Sequence, residues 1–245
     1  MDLQYFWYTK DNIPDGLGFS FLGARHIITW LISLAVIIAA AMLFKRASEK
    51  SKDRTLKAIA ASLVIIEIVK DIVVIAVGQW SIDYLPLHVC GVNIILAAIW
   101  AVKRNPIVAD LLYCIGTFGA ALALTTPNWM ALPVWNFMHL TSVIIHILLV
   151  IFPIMIVMQG HRPDIKNWPK CFAVALCYCG VIYVFNKIFD TDFVFLNGAR
   201  DTPFVPLVNL IGPLYVIPMI MLLGLIMLLM YLPWYLADRK KLKQY

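Results

Sequence analysis

Charge is scarce in this chain. Only 14% of its 245 residues are Asp, Glu, Lys or Arg, 62% are hydrophobic, and the mean hydropathy is +0.84. A soluble domain of this length cannot hide so much apolar surface, so lipid must cover much of it. A basic leader is also lacking. The first apolar run follows 24 polar or mixed residues without a positive n-region, which disfavours a cleaved signal peptide.

Cysteine is missing from every water-exposed loop. Cys90, Cys114, Cys171, Cys177 and Cys179 all fall in apolar stretches, so no disulfide framework is expected. Cys177 and Cys179 are one residue short of a C-x-x-C redox motif. No H-x-x-x-H spacing links His88, His139 or His146, which weakens a metallohydrolase reading and leaves no metal expected. The last apolar stretch, 212–236, has no lysine for a retinal Schiff base. There is no soluble domain, low-complexity tract or internal repeat, and no cofactor is expected.

What the chain does contain is seven windows able to cross about 30 Å of hydrocarbon, near 25–44, 57–78, 85–102, 106–124, 136–158, 169–189 and 212–236. Lipid offers no partner to a free backbone amide or carbonyl, so each must be helical. The expected fold is all-α: a polytopic bundle of seven transmembrane helices, one membrane domain over 1–245.

The net charge is +6, but the basic residues lie beside apolar spans, which points to membrane orientation rather than nucleic acid. The segment "KRASEKSKDRTLK" (45–57), the turn with Lys103 and Arg104, the turn with Arg162, Lys166 and Lys170, and the tail "RKKLK" together hold fifteen Lys/Arg. The opposite side has Lys10, Arg25 and Arg200. The N-terminus is therefore outside and the C-terminus cytoplasmic, in a multi-pass cell-membrane protein. Outside, the loop "DTDFVFLNGARDTPFVPLVN" mixes aromatics with acids, as an interfacial loop leaning on the bilayer would.

Ionisable groups inside spans usually face a bundle interior or watery cavity. At about 1.5 Å per residue, Cys90 lies roughly 8–10 Å below the outer surface, Asn93 a turn lower, Asp71 at roughly 10 Å and Lys70 near 12 Å. Glu67 falls near the midplane, His139 near the surface and His146 roughly 14 Å deep. Glu67, Lys70 and Asp71, at i, i+3 and i+4, form one polar stripe, and Cys90 shares a face with Asn93. His88, two residues from Cys90, points elsewhere. His146 is the better-placed base for a thiol at that depth, and a thiol in the first turn of a helix beside an imidazole or Lys70 is a candidate nucleophile.

Each group also has a plainer reading. Cys90 can be a small apolar filler, the Glu67–Lys70–Asp71 stripe a structural ion-pair network, His88 and His139 headgroup anchors, and His146 a packing residue. The other four cysteines read as packing. Asp110, near the cytoplasmic end of the fourth span, is expected to pair with Lys103 or Arg104.

Six short motifs add a resemblance. "FLGARHIITWL", "LPLHVC", "LTTPNW", "IIHILLV", "FVFL" and "LIGPLY" occur in that order through nearly the whole chain. Together they resemble the YwaF-like bacterial integral membrane proteins and their eukaryotic relative, transmembrane protein 164. The resemblance implies a seven-helix fold and a cysteine-dependent acyltransferase that moves fatty acyl chains between lipids. It implies Cys90 as nucleophile and His146 as catalytic histidine. On that basis the expected partners are a phospholipid or lysolipid substrate and the membrane itself. Asn93 would help hold the oxyanion, with Glu67, Lys70, Asp71, His88 and His139 tuning the site or binding substrate. The rival classes are an ion-coupled carrier using Glu67, Lys70, Asp71 and His146, and a non-catalytic scaffold.

Overall fold

The computed structural model describes residues 3–199, 202 and 204–242, with the side chains of 240–242 excepted. Arg200, Asp201, Pro203 and Lys243 lie outside the described residues. Among those described, every regular element is helical. The long helices are α1 (Ala24–Arg46), α2 (Glu49–Ala76), α3 (Val89–Lys103), α4 (Pro106–Thr125), α5 (Phe137–Met158) and α6 (Trp168–Phe189). A short α7 (Val205–Ile211) then leads into α8 (Val216–Leu242).

Local chemistry sets the turns. Ser48 caps α2 by accepting from the Ser51 amide. α3 stops at Arg104, whose φ of 50° is left-handed, and Asn105 at once caps α4 by accepting from the Ile107 and Val108 amides, with Pro106 in the first turn. A two-residue reversal of this kind keeps neighbouring helices antiparallel. Asn136 caps α5 through the Met138 and His139 amides, and its own amide donates to the Tyr5 and Tyr8 carbonyls, fastening the N-terminal segment over the bundle.

α5 is the central helix. It packs against α1, α2, α3 and α4, and thirteen of its 22 residues are buried. Between membrane helices the driving force is close packing rather than removal from water, and Trp100 of α3 meets Phe152 of α5 edge to face at 5.6 Å. On the far side of α4, a second core joins Leu111 and Cys114 to Cys171 of α6 and to Met227 and Tyr231 of α8. Rows of bare apolar side chains, Ile28, Leu31 and Ile32 on α1 and Leu225, Leu229 and Leu232 on α8, face outward where lipid covers them.

Five stretches are both long and apolar enough to cross a bilayer: α1, α4, α5, the stretch containing α6, and the stretch containing α7 and α8. The two exceptions carry Glu67, Lys70, Asp71, Cys90 and Asn93. α2 is long but holds Glu67, Lys70 and Asp71. α3 is apolar but has 15 residues, about 22 Å of helix against about 30 Å of hydrocarbon. α3 is thus shorter than the hydrocarbon is thick, and the lead-in Leu85–His88 ahead of it is non-helical backbone. Such backbone survives in hydrocarbon only where protein covers it.

Two expectations are corrected. Asp110 does not pair with Lys103 or Arg104. It is fully buried and accepts from His161 Nε2 (2.7 Å), Asn167 Nδ2 (2.9 Å) and Tyr231 Oη (3.2 Å). The left-handed turn at Arg104 aims its guanidinium back over Trp100 and onto Asp53 of α2 instead. In the loop after α6, Phe193 turns inward rather than along the bilayer, fully buried with Leu196 nearly so, while Phe195 and Phe204 stay half-buried. Asn186 explains that fold: its side chain donates to the Phe193 carbonyl and accepts from the Phe193 amide and the Thr191 hydroxyl.

Candidate active site

The site grows from the lead-in to α3. A Cβ at Gly91 would lie 2.5 Å from the Pro86 carbonyl oxygen and 2.6 Å from its carbonyl carbon and Cα. Glycine alone lets the chain at Pro86 fold back onto the first turn of α3. The lead-in is then pinned from α6, where Tyr178 Oη donates to the Leu87 carbonyl at 2.5 Å. The loop after α6 covers it. Val194 N–H donates to His88 Nδ1 at 3.3 Å, and the His88 ring packs between Phe193 and Phe195. His88 occupies the N-cap position of α3 but makes no capping bond. The first amides of the helix have no intrahelical acceptor, and those of Cys90 and Gly91 are directed at the Cys90 sulfur.

Cys90 sits in this first turn and is half-buried. It lies within electrostatic range of Glu67 and Lys70 on α2 and of Tyr178 on α6. Lys70 is shared between two carboxylates, 2.5 Å from Glu67 Oε1 and 3.4 Å from Asp71 Oδ1. The second contact is close enough for charge attraction, but no hydrogen bond aligns at Asp71 Oδ1. Asn93, one turn on, is buried and donates to the Val89 carbonyl at 2.7 Å. Its Oδ1 lies against Gly116 of α4 with no donor. At that contact α4 winds as a π-helical turn over Leu112–Thr117, an irregularity frequent at functional sites.

His146 comes from the middle of α5. Its Nδ1 is 2.7 Å from the Ser142 carbonyl oxygen. A carbonyl can only accept, so Nδ1 carries the proton and the lone pair is left on Nε2. Trp129, from the loop after α4, stacks on the ring at 4.9 Å. α3 and α5 pack against each other, which puts the helices of Cys90 and His146 in contact, although no hydrogen bond joins thiol and imidazole among the described residues. His139 lies elsewhere. It is buried edge-on to Phe19, which also stacks on His26 of α1. Among the described residues, no three His, Cys, Asp or Glu side chains are grouped to hold a metal.

Spacing along helices did not point to Gly91, Tyr178, Trp129 or the π-turn. Gly91 had one signal available: glycine in the first turns of a helix costs about 1 kcal/mol against alanine, so its presence asks for a steric reason. Trp129 ends the "LTTPNW" motif, but nothing in it pointed to His146, and Tyr178 had no signal, because their partners are 17 and 91 residues away.

No curated protein and no solved structure matches the chain. The TMEM164 family model, however, matches residues 21–231, which takes in α1, the lead-in and Cys90, the stack on His146, and α8 as far as Tyr231. With the match extending over most of its length, this chain belongs to the TMEM164 family.

Proposed function

We propose that this protein is a membrane acyltransferase that moves a fatty acyl chain between lipids through a thioester on Cys90, in the outer half of the bilayer. The observation that carries the reading is the tautomer of His146. The Ser142 carbonyl holds the proton on Nδ1, so Nε2 is a base, on the helix that packs against the one bearing a half-buried thiol.

His146 Nε2 takes the Cys90 proton, and the sulfur attacks the ester carbonyl carbon of an acyl lipid. The oxyanion of the tetrahedral intermediate is met by the uncapped amides at the start of α3, with Asn93 beside them. The C–O bond then breaks, the leaving lysolipid oxygen receives the proton from His146, and the acyl group stays on sulfur. An acceptor lipid hydroxyl gives its proton to Nε2 and attacks the thioester, and the thiol is restored when that proton passes to the departing sulfur. Lys70 offers the substrate phosphate a cation, while Glu67 and Asp71 hold that cation in place. No hydrogen bond joins thiol and imidazole among the described residues, so the step requires substrate binding to bring the two together.

Purified protein given labelled phosphatidylcholine and a lysolipid should exchange acyl chains. Cys90→Ala should abolish the exchange and His146→Gln should lower it by roughly 10²–10⁴-fold, the range for a lost general base. A lipid-like electrophile should label Cys90. Full exchange by Cys90→Ala, with Glu67→Gln inactive, would discard the thioester and favour a carrier instead.

A further inference from the structure

At the opposite end of α2 and α3 an open groove of about 800 Å³ faces the lipid on the cytoplasmic side. Its walls are Ala60, Ala61, Val64 and Ile65 from α2 with Ala98, Ala101 and Val102 from α3, and Lys57 and Arg104 lie at its cytoplasmic end. From Lys57 to Ile65 the groove follows about 12 Å of helix. The four alanines among these residues keep an apolar furrow open between the two helices.

The two cations already converge on one oxyanion. Lys57 Nζ is 2.8 Å from Asp53 Oδ2, and Arg104 pairs with Oδ1 of the same carboxylate. Asp53 is exposed enough to leave, and the hydrogen bond from Lys57 with the charge of Arg104 keeps its carboxyl below the ordinary range. Arg104 is preset for this position. It stands in the left-handed cap of α3, and its guanidinium lies 4.1 Å over the Trp100 ring. Two cations against one carboxylate leave a net positive charge at the mouth. A planar guanidinium with a neighbouring ammonium suits phosphate oxygens, and basic pockets between helices on the cytoplasmic side bind anionic headgroups.

We infer that this groove is a binding site for an anionic phospholipid of the cytoplasmic leaflet. One acyl chain lies along the alanine wall, and the phosphate takes Lys57 and Arg104 from Asp53. The site is separate from the thiol, which lies at the outer end of α3, and it does not depend on the acyltransferase reading.

Native mass spectrometry of the detergent-purified full chain, titrated with phosphatidylglycerol and with phosphatidylcholine of equal chain length, tests it. The wild type should retain phosphatidylglycerol in preference. Lys57→Gln and Arg104→Gln should each reduce that preference about fivefold, the worth of one cation near a membrane surface. Asp53→Asn should raise it, because the competing carboxylate is neutralised. Ala101→Trp should weaken retention of both lipids by filling the groove. The proposal fails if either glutamine variant keeps the wild-type preference, or if Asp53→Asn loses it as a broken structural staple would. It also fails if the wild type is a dimer and Ala101→Trp makes it a monomer, since a second copy would then occupy the groove.

Discussion

Alanine at position 91 would test the geometry of the α3 lead-in directly. The added Cβ would stand 2.5–2.6 Å from three backbone atoms of Pro86, where ordinary contact begins near ~3.5 Å. The lead-in must then retreat by about 1 Å. It is held by the Leu87 amide on the Leu85 carbonyl, by Tyr178 on the Leu87 carbonyl and by Val194 on His88, so the retreat strains all three. Overpacking of this kind costs about 1–3 kcal/mol. Removing a helical glycine returns about 1 kcal/mol. The net loss of stability is then roughly 0–2 kcal/mol, small enough for the protein to fold. Catalysis is less forgiving, since a displacement of about 1 Å at the reacting groups can cost about 10²-fold. Gly91→Ala should therefore melt close to wild type in detergent while exchanging acyl chains about a hundredfold more slowly. Gly180→Ala on α6 is the control, because a Cβ there meets nothing within 4 Å. It should leave both stability and exchange intact. If Gly91→Ala exchanges acyl chains at nearly the wild-type rate, the position of the Pro86 carbonyl over the first turn is irrelevant to the chemistry.

Asp110→Ala leaves His161, Asn167 and Tyr231 without their shared acceptor in a buried site. It should destabilise by about 3–5 kcal/mol, the cost of breaking a buried pair from one side. Thermal unfolding measures this, while labelling of Cys90, at the other end of the bundle, should be unchanged in rate in the folded fraction. Tyr215→Phe removes the hydroxyl that donates to the Phe195 carbonyl and accepts from the Gly198 amide. At about 1 kcal/mol for each bond, hydrogen exchange should speed up in residues 193–199 and stay at wild-type rates in α5.

How much was legible followed the range of each interaction. The seven helices and the Glu67–Lys70 pair rest on hydropathy and on i, i+3 spacing, which are local. Burial of His146 follows from its depth in an apolar helix, whereas His139, expected near the surface, is buried beside Phe19. The partners of Asp110 were not legible because they come from the α5–α6 loop and α8. Nothing near Asp110 in sequence distinguishes them from Lys103 and Arg104, which are nearer along the chain but lie beyond the reversal at Asn105. The inward fold of the 193–196 loop was hidden for the same reason. Its aromatics read as interfacial until Asn186, a polar residue near the end of an apolar helix, is seen to bind both the amide and the carbonyl of Phe193.

That loop links the short third helix to the candidate chemistry. A third helix this short leaves its non-helical lead-in unpaired in hydrocarbon unless something lies over it. The cover is strained. Val194 and Phe195 have φ of 57° and 59°, and a β-branched residue in that region is an outlier costing of order 1–3 kcal/mol. The strain is offset by bonds on both flanks, from Asn186 at Phe193 and from Tyr215 at Phe195. What it achieves is the direction of the Val194 amide, which points down onto His88. A relaxed loop could screen the lead-in equally well, but it would not fix the ring of the residue two positions before Cys90. The strained backbone is therefore better understood as holding the helix of the candidate nucleophile in register than as simple coverage.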